Sequence, residues 1–114
     1  MNSKTDGSVQ VARQIDFVGK SGTLYRYSVQ DSGRPVQTAG ANFVIAVLAP
    51  TEVQVLHVGE TENLASRDWI PALEQARARH GQTELLVRLN VRGAVRKQEC
   101  EDMTAAYVPS LNLS

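Results

Sequence analysis

Apolar runs in the middle of the chain predict β-strands. Between residues 42 and 48 nearly every position is apolar, and several are β-branched, which is typical of a strand buried on both faces. Val53 to Val58 alternates more, and Pro50 lies between the two runs. Because proline cannot donate to a strand ladder, it belongs in a turn, and the two runs predict a β-hairpin whose second strand ends at Gly59. Glu84 to Val91, with the sequence ELLVRLNV, predicts a third strand.

The N-terminal part of the chain carries a second hairpin pattern. Gln14 to Val18 and Thr23 to Val29 alternate between polar and apolar residues around the glycine-rich turn at residues 19–22. Residues 30–40 have the composition of a loop. Residues 1–12 are short, polar and without pattern, which predicts a flexible arm.

Helical signals precede and follow the third strand. Pro71 suits a first helical position and Gly81 suits the position after a last turn, so a helix is predicted between them. Trp69 and Leu73 are spaced to share its inner face. The single tryptophan is interpreted as a core anchor rather than a platform for base stacking, since large aromatic residues dominate core burial in small domains.

Two further helical segments complete the pattern. Gly93 to Tyr107 predicts the last helix, which Pro109 stops. Asn63 to Arg67 is compatible with a first helical turn, with Thr61 as its N-cap.

Composition excludes several classes of protein. The chain has 114 residues, of which 42% are hydrophobic and 21% charged, as in an ordinary single globular domain. No apolar run approaches the length needed to cross a bilayer, so no membrane partner is expected. The polar start MNSKTDGSVQ and the single cysteine predict a cytoplasmic protein.

The central hairpin and the segment after it contain the elements of a known family pattern. Ala41-Asn42-Phe43 and His57-Val58-Gly59 lie on adjacent strands, Asn63-Leu64 comes next, and Arg67 stands a helical turn later. Near the end, residues 107–112 run from a helix into a proline and finish on an asparagine. Over residues 40–112 this arrangement resembles the GIY-YIG nuclease domain, with the two triplets in the places of its two name motifs.

The resemblance implies a fold. Residues 40–114 would form a small α+β domain with a central three-stranded antiparallel sheet flanked by helices. Residues 13–39 would add an N-terminal β-hairpin and loop, which extend or cover that sheet. The hairpin and the domain are expected to form a single compact unit.

The resemblance also implies catalytic roles, and the chain departs from them. Arg67 stands where the family carries an arginine that contacts phosphate. Phe43 and His57 replace the two motif tyrosines, so the hydroxyl that prepares the attacking water in the family is lost at Phe43. His57 is the candidate replacement base, because the unperturbed pKa of histidine lies near neutrality.

The family's metal ligand is changed as well. Counting back from Asn112 by the family's interval places its glutamate at Cys100. Glu99 and Glu101 flank that position, but a shift of one residue rotates a side chain by about 100° around a helix. Either would be the candidate ligand for Mg²⁺ or Mn²⁺ if the domain is active.

Cys100 has two interpretations of its own. Free cysteine is among the residue types most often buried, so it is expected to be a small core residue of the last helix. The other hypothesis is a nucleophile paired with His57 as its base.

Charge is balanced overall and uneven locally. The formal net charge is zero. Between residues 77 and 97, six cations face a single acid, Glu84, and on one surface they would form a positive face for nucleic acid; the plainer interpretation is that they are solvated side chains. These cations are Arg77, Arg79, Arg88, Arg92, Arg96 and Lys97.

Three hypotheses about function remain open at the level of sequence. The first is a catalytically degenerate GIY-YIG-like domain that contacts the phosphates of DNA or RNA through Arg67 and the basic segment. The second is an active metal-dependent endonuclease. The third is a protein-interaction module on the same scaffold, which the zero net charge favours together with Glu60, because its negative charge beside Arg67 would repel a phosphate.

Overall fold

The structure, a computed structural model, describes residues 13–31 and 33–109. It confirms the predicted α+β class. Neither helix that it describes is long and apolar enough to span a membrane. A short 3₁₀ turn at Leu64–Ser66 precedes the first helix. The elements are β1 (Gln14–Val18), β2 (Leu24–Val29), β3 (Ala41–Leu48), β4 (Val53–Thr61), α1 (Ile70–His80), β5 (Glu84–Leu89) and α2 (Gly93–Tyr107).

The strands form one antiparallel sheet with the order β1-β2-β5-β3-β4. The predicted central sheet of three strands is therefore corrected to a sheet of five. β2 pairs with the free side of β5, with Ser28 opposite Val87 and Val29 opposite Leu86. An unpaired strand edge exposes a row of backbone donors and acceptors. The N-terminal hairpin supplies hydrogen-bond partners for these groups along the edge of β5.

Alternation along β3 divides the core between the two faces of the sheet. Phe43 and Ile45 point to one face, where they pack with Trp69 and Leu73 beside α1. Val44 and Ala46 point to the other face and pack with the aromatic residues of the N-terminal hairpin and with Met103 of α2. The expectation that β3 is buried on both faces is thus confirmed.

Several predicted boundaries shift by a few residues. β4 continues past Gly59 to Thr61, whereas β5 ends at Leu89. The N-cap of the 3₁₀ turn is Asn63, whose Oδ1 accepts a hydrogen bond from the Ala65 amide, while Thr61 lies within the strand. The predicted bounds of the last helix, 93–107, are confirmed; the helix predicted to begin at Pro71 begins one residue earlier, at Ile70, and Gly81 is its C-cap as predicted. The predicted arm at residues 1–12 and the last residues of the 107–112 pattern lie outside the described residues.

The turn of the N-terminal hairpin is fastened to α2 through Asp102. Its carboxylate accepts hydrogen bonds from the Tyr25 hydroxyl at 2.7 Å, the Ser21 hydroxyl at 2.7 Å and the Ser21 amide at 2.8 Å. These bonds hold the pKa of Asp102 below its usual range, with the Tyr25 hydroxyl as the largest cause. The hairpin and the rest of the domain are therefore joined at two places, β5 and α2.

Arg96, predicted to lie in a positive face, is instead buried, with 5% of its surface exposed. Its Nε donates to Glu60 Oε1 of β4 at 2.9 Å, and its Nη1 donates to the carbonyl oxygens of Asn90 and Val91 at 3.1 and 3.0 Å. A buried guanidinium is stable only when its charge and its donors are satisfied, and these partners provide both.

Asn42 completes this arrangement, here called the Arg96 network (Asn42, Glu60, Asn90, Val91 and Arg96). The Asn42 amide group is fully buried, donates from Nδ2 to the Arg96 carbonyl at 2.9 Å and accepts from Asn90 Nδ2 at 3.0 Å. The network thus joins β3, β4, the β5–α2 connection and the first turn of α2. Gly40 lies against the Arg96 network, and a Cβ at residue 40 would overlap the Arg96 guanidinium.

Replacing Glu60 with alanine is expected to destabilise the fold strongly. The substitution leaves the buried Arg96 charge without its carboxylate, a type of change that costs about 3 kcal/mol. Urea denaturation followed by circular dichroism measures the change in the free energy of unfolding. Asp16→Ala, which removes the exposed ion pair with Arg26 at 2.8 Å, is the control and is expected to have a much smaller effect. Equal effects of the two substitutions would contradict the structural role of the network.

Candidate functional site

Arg67 occupies the residue position that ends the 3₁₀ turn before α1. Its backbone is left-handed, with φ of 61° and ψ of 29°, and its amide donates to the Leu64 carbonyl at 3.2 Å. This conformation closes the turn and reverses the chain into α1. Arg67 is itself exposed.

Three arginines from different parts of the chain line one cleft. The cleft has a volume of about 360 Å³ and lies between α1, β5 and the loop that follows β2. Arg67 precedes α1, Arg77 is on its last turns, and Arg34 comes from the loop. Val36 and Ile70 contribute apolar wall. We call this cleft the basic cleft.

Acidic groups are also present in the basic cleft. Asp31 lines it and pairs with Arg34 at 3.5 Å, and Glu74 of α1 lines it as well. Arg77 donates one hydrogen bond, from Nη2 to the Thr83 carbonyl at 3.4 Å, which leaves most of its five N–H groups for other acceptors. The formal charge of the lining side chains is three positive against two negative, so the cleft is weakly positive.

Trp69 forms part of the wall of the cleft without presenting its ring to solvent. Its surface is 6% exposed, and its Nε1 donates to the Leu64 carbonyl at 2.9 Å. The prediction that it is a core anchor is confirmed. Its bond to Leu64 fixes the 3₁₀ turn against α1 and therefore fixes the backbone of Arg67.

Phe43 and His57 contact each other but do not line the basic cleft. Their rings stack with centroids 5.7 Å apart and planes at 25°. Phe43 lies over Gly59, its partner on β4, where a side chain would meet the ring. The glycine of the second triplet is thus explained by the close approach of an aromatic ring.

His57 is half-buried beside Phe43. Its Nδ1 is buried and has no hydrogen-bond partner among the described residues. Burial lowers the pKa of His57 below its usual range, so the ring is neutral at neutral pH. A neutral imidazole can accept a proton, but His57 does not line the basic cleft.

Residues 99–101 belong to the opposite side of the sheet. Cys100 packs with the core on the α2 side, whereas Phe43 is in the core on the α1 side, so the structure does not bring Cys100 and His57 together. Glu99 Oε1 accepts from Arg88 Nε at 2.9 Å, and Glu101 is exposed on α2. Within residues 13–31 and 33–109, no group of three or more His, Cys, Asp or Glu side chains could hold a metal ion.

The predicted basic segment does not form one surface. Arg77 lines the basic cleft, whereas Arg96 is buried in its network and Arg88 is paired with Glu99 and lies 5.5 Å above the Tyr25 ring. The three other cations are exposed at separate positions: Arg79 on α1, Arg92 just before α2 and Lys97 on α2.

Arg34 and Asp31 were missed by sequence reasoning. They lie in a segment identified only as a loop, and a loop pattern carries no information about which cleft it borders. Glu60, expected to repel phosphate beside Arg67, does not line the basic cleft; it neutralises Arg96.

Comparison with protein-family models, with curated proteins and with solved structures finds no match to this chain.

Gly59→Ala is expected to lower the free energy of unfolding by about 1–3 kcal/mol, as overpacking does. An added Cβ would lie 2.5 Å from Phe43 Cζ and 2.9 Å from Cε1. Thermal or urea denaturation measures the loss, and Gly33→Ala is the control, since a Cβ there meets nothing within 4 Å. In the Phe43→Leu background the cost of Gly59→Ala is expected to fall; a cost that stays unchanged would refute the contact as its cause.

The Cys100 thiol is expected to react slowly with an alkylating reagent at neutral pH. Burial raises its pKa above the usual range, and Glu60 and Glu101 act in the same direction against a lowering hydrogen bond with Thr104. Less thiolate is present as a result, and thiolate is the reactive form. The chain has one cysteine, so mass spectrometry reports this site alone. The urea-unfolded protein provides the reference rate, and a native rate equal to or above it would restore the nucleophile hypothesis.

Proposed function

We propose that this protein binds nucleic acid through phosphate contacts in the basic cleft, as a divergent and catalytically degenerate GIY-YIG-like domain. The observation that carries the proposal is the convergence of Arg34, Arg67 and Arg77 on one cleft. Guanidinium groups bind phosphate oxygens through paired N–H donors, and Arg67 and Arg77 project from the two ends of the same rigid segment. Arg67 is also the residue that the family resemblance assigns to phosphate.

The degenerate character of the site is supported by the residues at the other family positions. Phe43 has no hydroxyl, and its ring is used in packing against Gly59 and His57. Cys100 stands at the position of the metal-binding glutamate, and its neighbour Glu99 pairs with Arg88. Phosphodiester hydrolysis needs charge neutralisation at the scissile phosphate, which an arginine alone does not supply.

The weak positive charge of the cleft agrees with contact to a small number of phosphates. Arg34 shares its charge with Asp31, so Arg67 and Arg77 are the principal phosphate ligands. Two such contacts to a single strand give a logarithmic slope of affinity with salt of about −1.4. Binding by a broad basic surface would give a steeper slope, so the measured slope distinguishes the two modes of binding.

The test is a titration of labelled single-stranded and duplex DNA and RNA, followed by fluorescence anisotropy at low and high salt with Mg²⁺ present. Arg67→Ala and Arg77→Ala are each expected to weaken binding about tenfold and to reduce the salt slope, because each removes one charged contact. Arg79→Ala is the matched control, because Arg79 is exposed on the same helix about 200° from Arg77 and does not line the cleft.

Absence of binding at low salt, or an equal loss with Arg79→Ala, would refute the proposed phosphate site. The same samples test the degenerate character after incubation. Cleavage that requires the metal and disappears in Arg67→Ala would show an active endonuclease instead. Circular dichroism spectra of all variants establish that they are folded.

A further inference from the structure

A second cleft adjoins the basic cleft. It has a volume of about 440 Å³ and lies on the sheet face that α1 occupies, beside β1 and β2. Gln30 and Arg34 line both clefts, so the two meet at these residues. We call the second one the amide cleft, because glutamine side chains are its characteristic lining: Gln14, Gln30 and Gln37.

The register of the N-terminal hairpin creates this face. Gln14 lies opposite Ser28 and Asp16 opposite Arg26, while the residues between them point to α2. Four of these outward positions are exposed or half-buried, in contrast to the buried aromatic residues behind them. Because β2 pairs with β5, the polar face of the hairpin continues the surface on which α1 and the basic cleft lie.

The junction between the clefts is held in place by backbone hydrogen bonds. The Gln30 amide donates to the Leu85 carbonyl at 2.8 Å, and the Arg34 amide donates to the Asp31 carbonyl at 3.0 Å. Gln30 Nε2 donates to the Arg34 carbonyl at 3.2 Å. A ligand that extends from one cleft to the other therefore meets a preformed surface.

The chemistry of the amide cleft differs from that of the basic cleft. The two arginines that reach it from β2 and its following loop are paired with acids, Arg26 with Asp16 at 2.8 Å and Arg34 with Asp31 at 3.5 Å. The remaining polar groups, the glutamine amides and the Ser28 hydroxyl, are neutral and offer both donors and acceptors. Such groups suit base edges and ribose hydroxyls better than phosphates.

We infer that the two clefts form one extended site for a single nucleic-acid strand, in which the basic cleft holds phosphate and the amide cleft binds the bases or sugars of adjacent nucleotides. The inference rests on the proposed function and adds a second subsite to it. A single strand is the expected form, because its base edges can enter a cleft, whereas those of a duplex lie within grooves and are reached by protruding elements.

A length series combined with paired variants tests this inference. Single-stranded oligonucleotides of about two to about twelve nucleotides cover the site sizes typical of small strand-binding domains. Affinity is expected to rise with length and then level off once both clefts are filled. The double variant Gln14→Ala, Gln37→Ala is expected to lose about tenfold in affinity for long oligonucleotides and nothing for dinucleotides, with an unchanged salt slope, since neutral contacts release no counterions.

Gln54→Ala is the matched control, because Gln54 is an exposed glutamine of β4 that lines neither cleft. Arg67→Ala is expected to weaken short and long oligonucleotides alike and to reduce the slope. An affinity that changes neither with strand length nor with the glutamine substitutions would overturn the second subsite while leaving the phosphate site intact. Absence of all nucleic-acid binding would overturn both proposals.

Discussion

The buried charge of Arg96 is the constraint on which the arrangement of the domain depends. A guanidinium in the interior must have a carboxylate and several acceptors within hydrogen-bond distance, and here they come from β4 and from the β5–α2 connection. Asn42 of β3 adds a bond to the Arg96 carbonyl. One side chain thereby sets the position of α2 against the central strands, with polar contacts that have direction and so favour a single geometry over the alternatives that apolar packing allows.

The position of α2 in turn determines where the rest of the surface is open. α2 covers one face of the sheet and receives the aromatic residues of the N-terminal hairpin, with Asp102 bonded to the hairpin turn. The opposite face is shared between α1 and the outward side chains of β1 and β2. Both clefts lie on this second face, and the N-terminal hairpin takes part in a candidate site together with residues that lie far from it in the chain.

The elements of the fold could be predicted from local patterns, whereas the partners of charged residues could not. The proline and glycine that bound α1 and the apolar run of β3 are local signals, and each predicted its element closely. Arg96 and Glu60 are 36 positions apart, and nothing in either neighbourhood indicates that the two charges meet in the interior. The same limit applies to Arg34, which reaches the cleft of Arg67 only through the pairing of β2 with β5, a long-range contact that a hairpin pattern leaves unspecified.

The left-handed backbone at Arg67 has a consequence for how this position is to be understood. Glycine adopts such a conformation freely, while a residue with a Cβ costs roughly 1–2 kcal/mol there. The chain thus holds an arginine where its backbone would be more stable with no side chain at all. Fold stability and the guanidinium are in opposition at this residue: a glycine would relax the turn and remove the charge in one step. Under the proposed phosphate site, Arg67→Gly is therefore expected to raise the free energy of unfolding and to weaken phosphate binding in the same substitution.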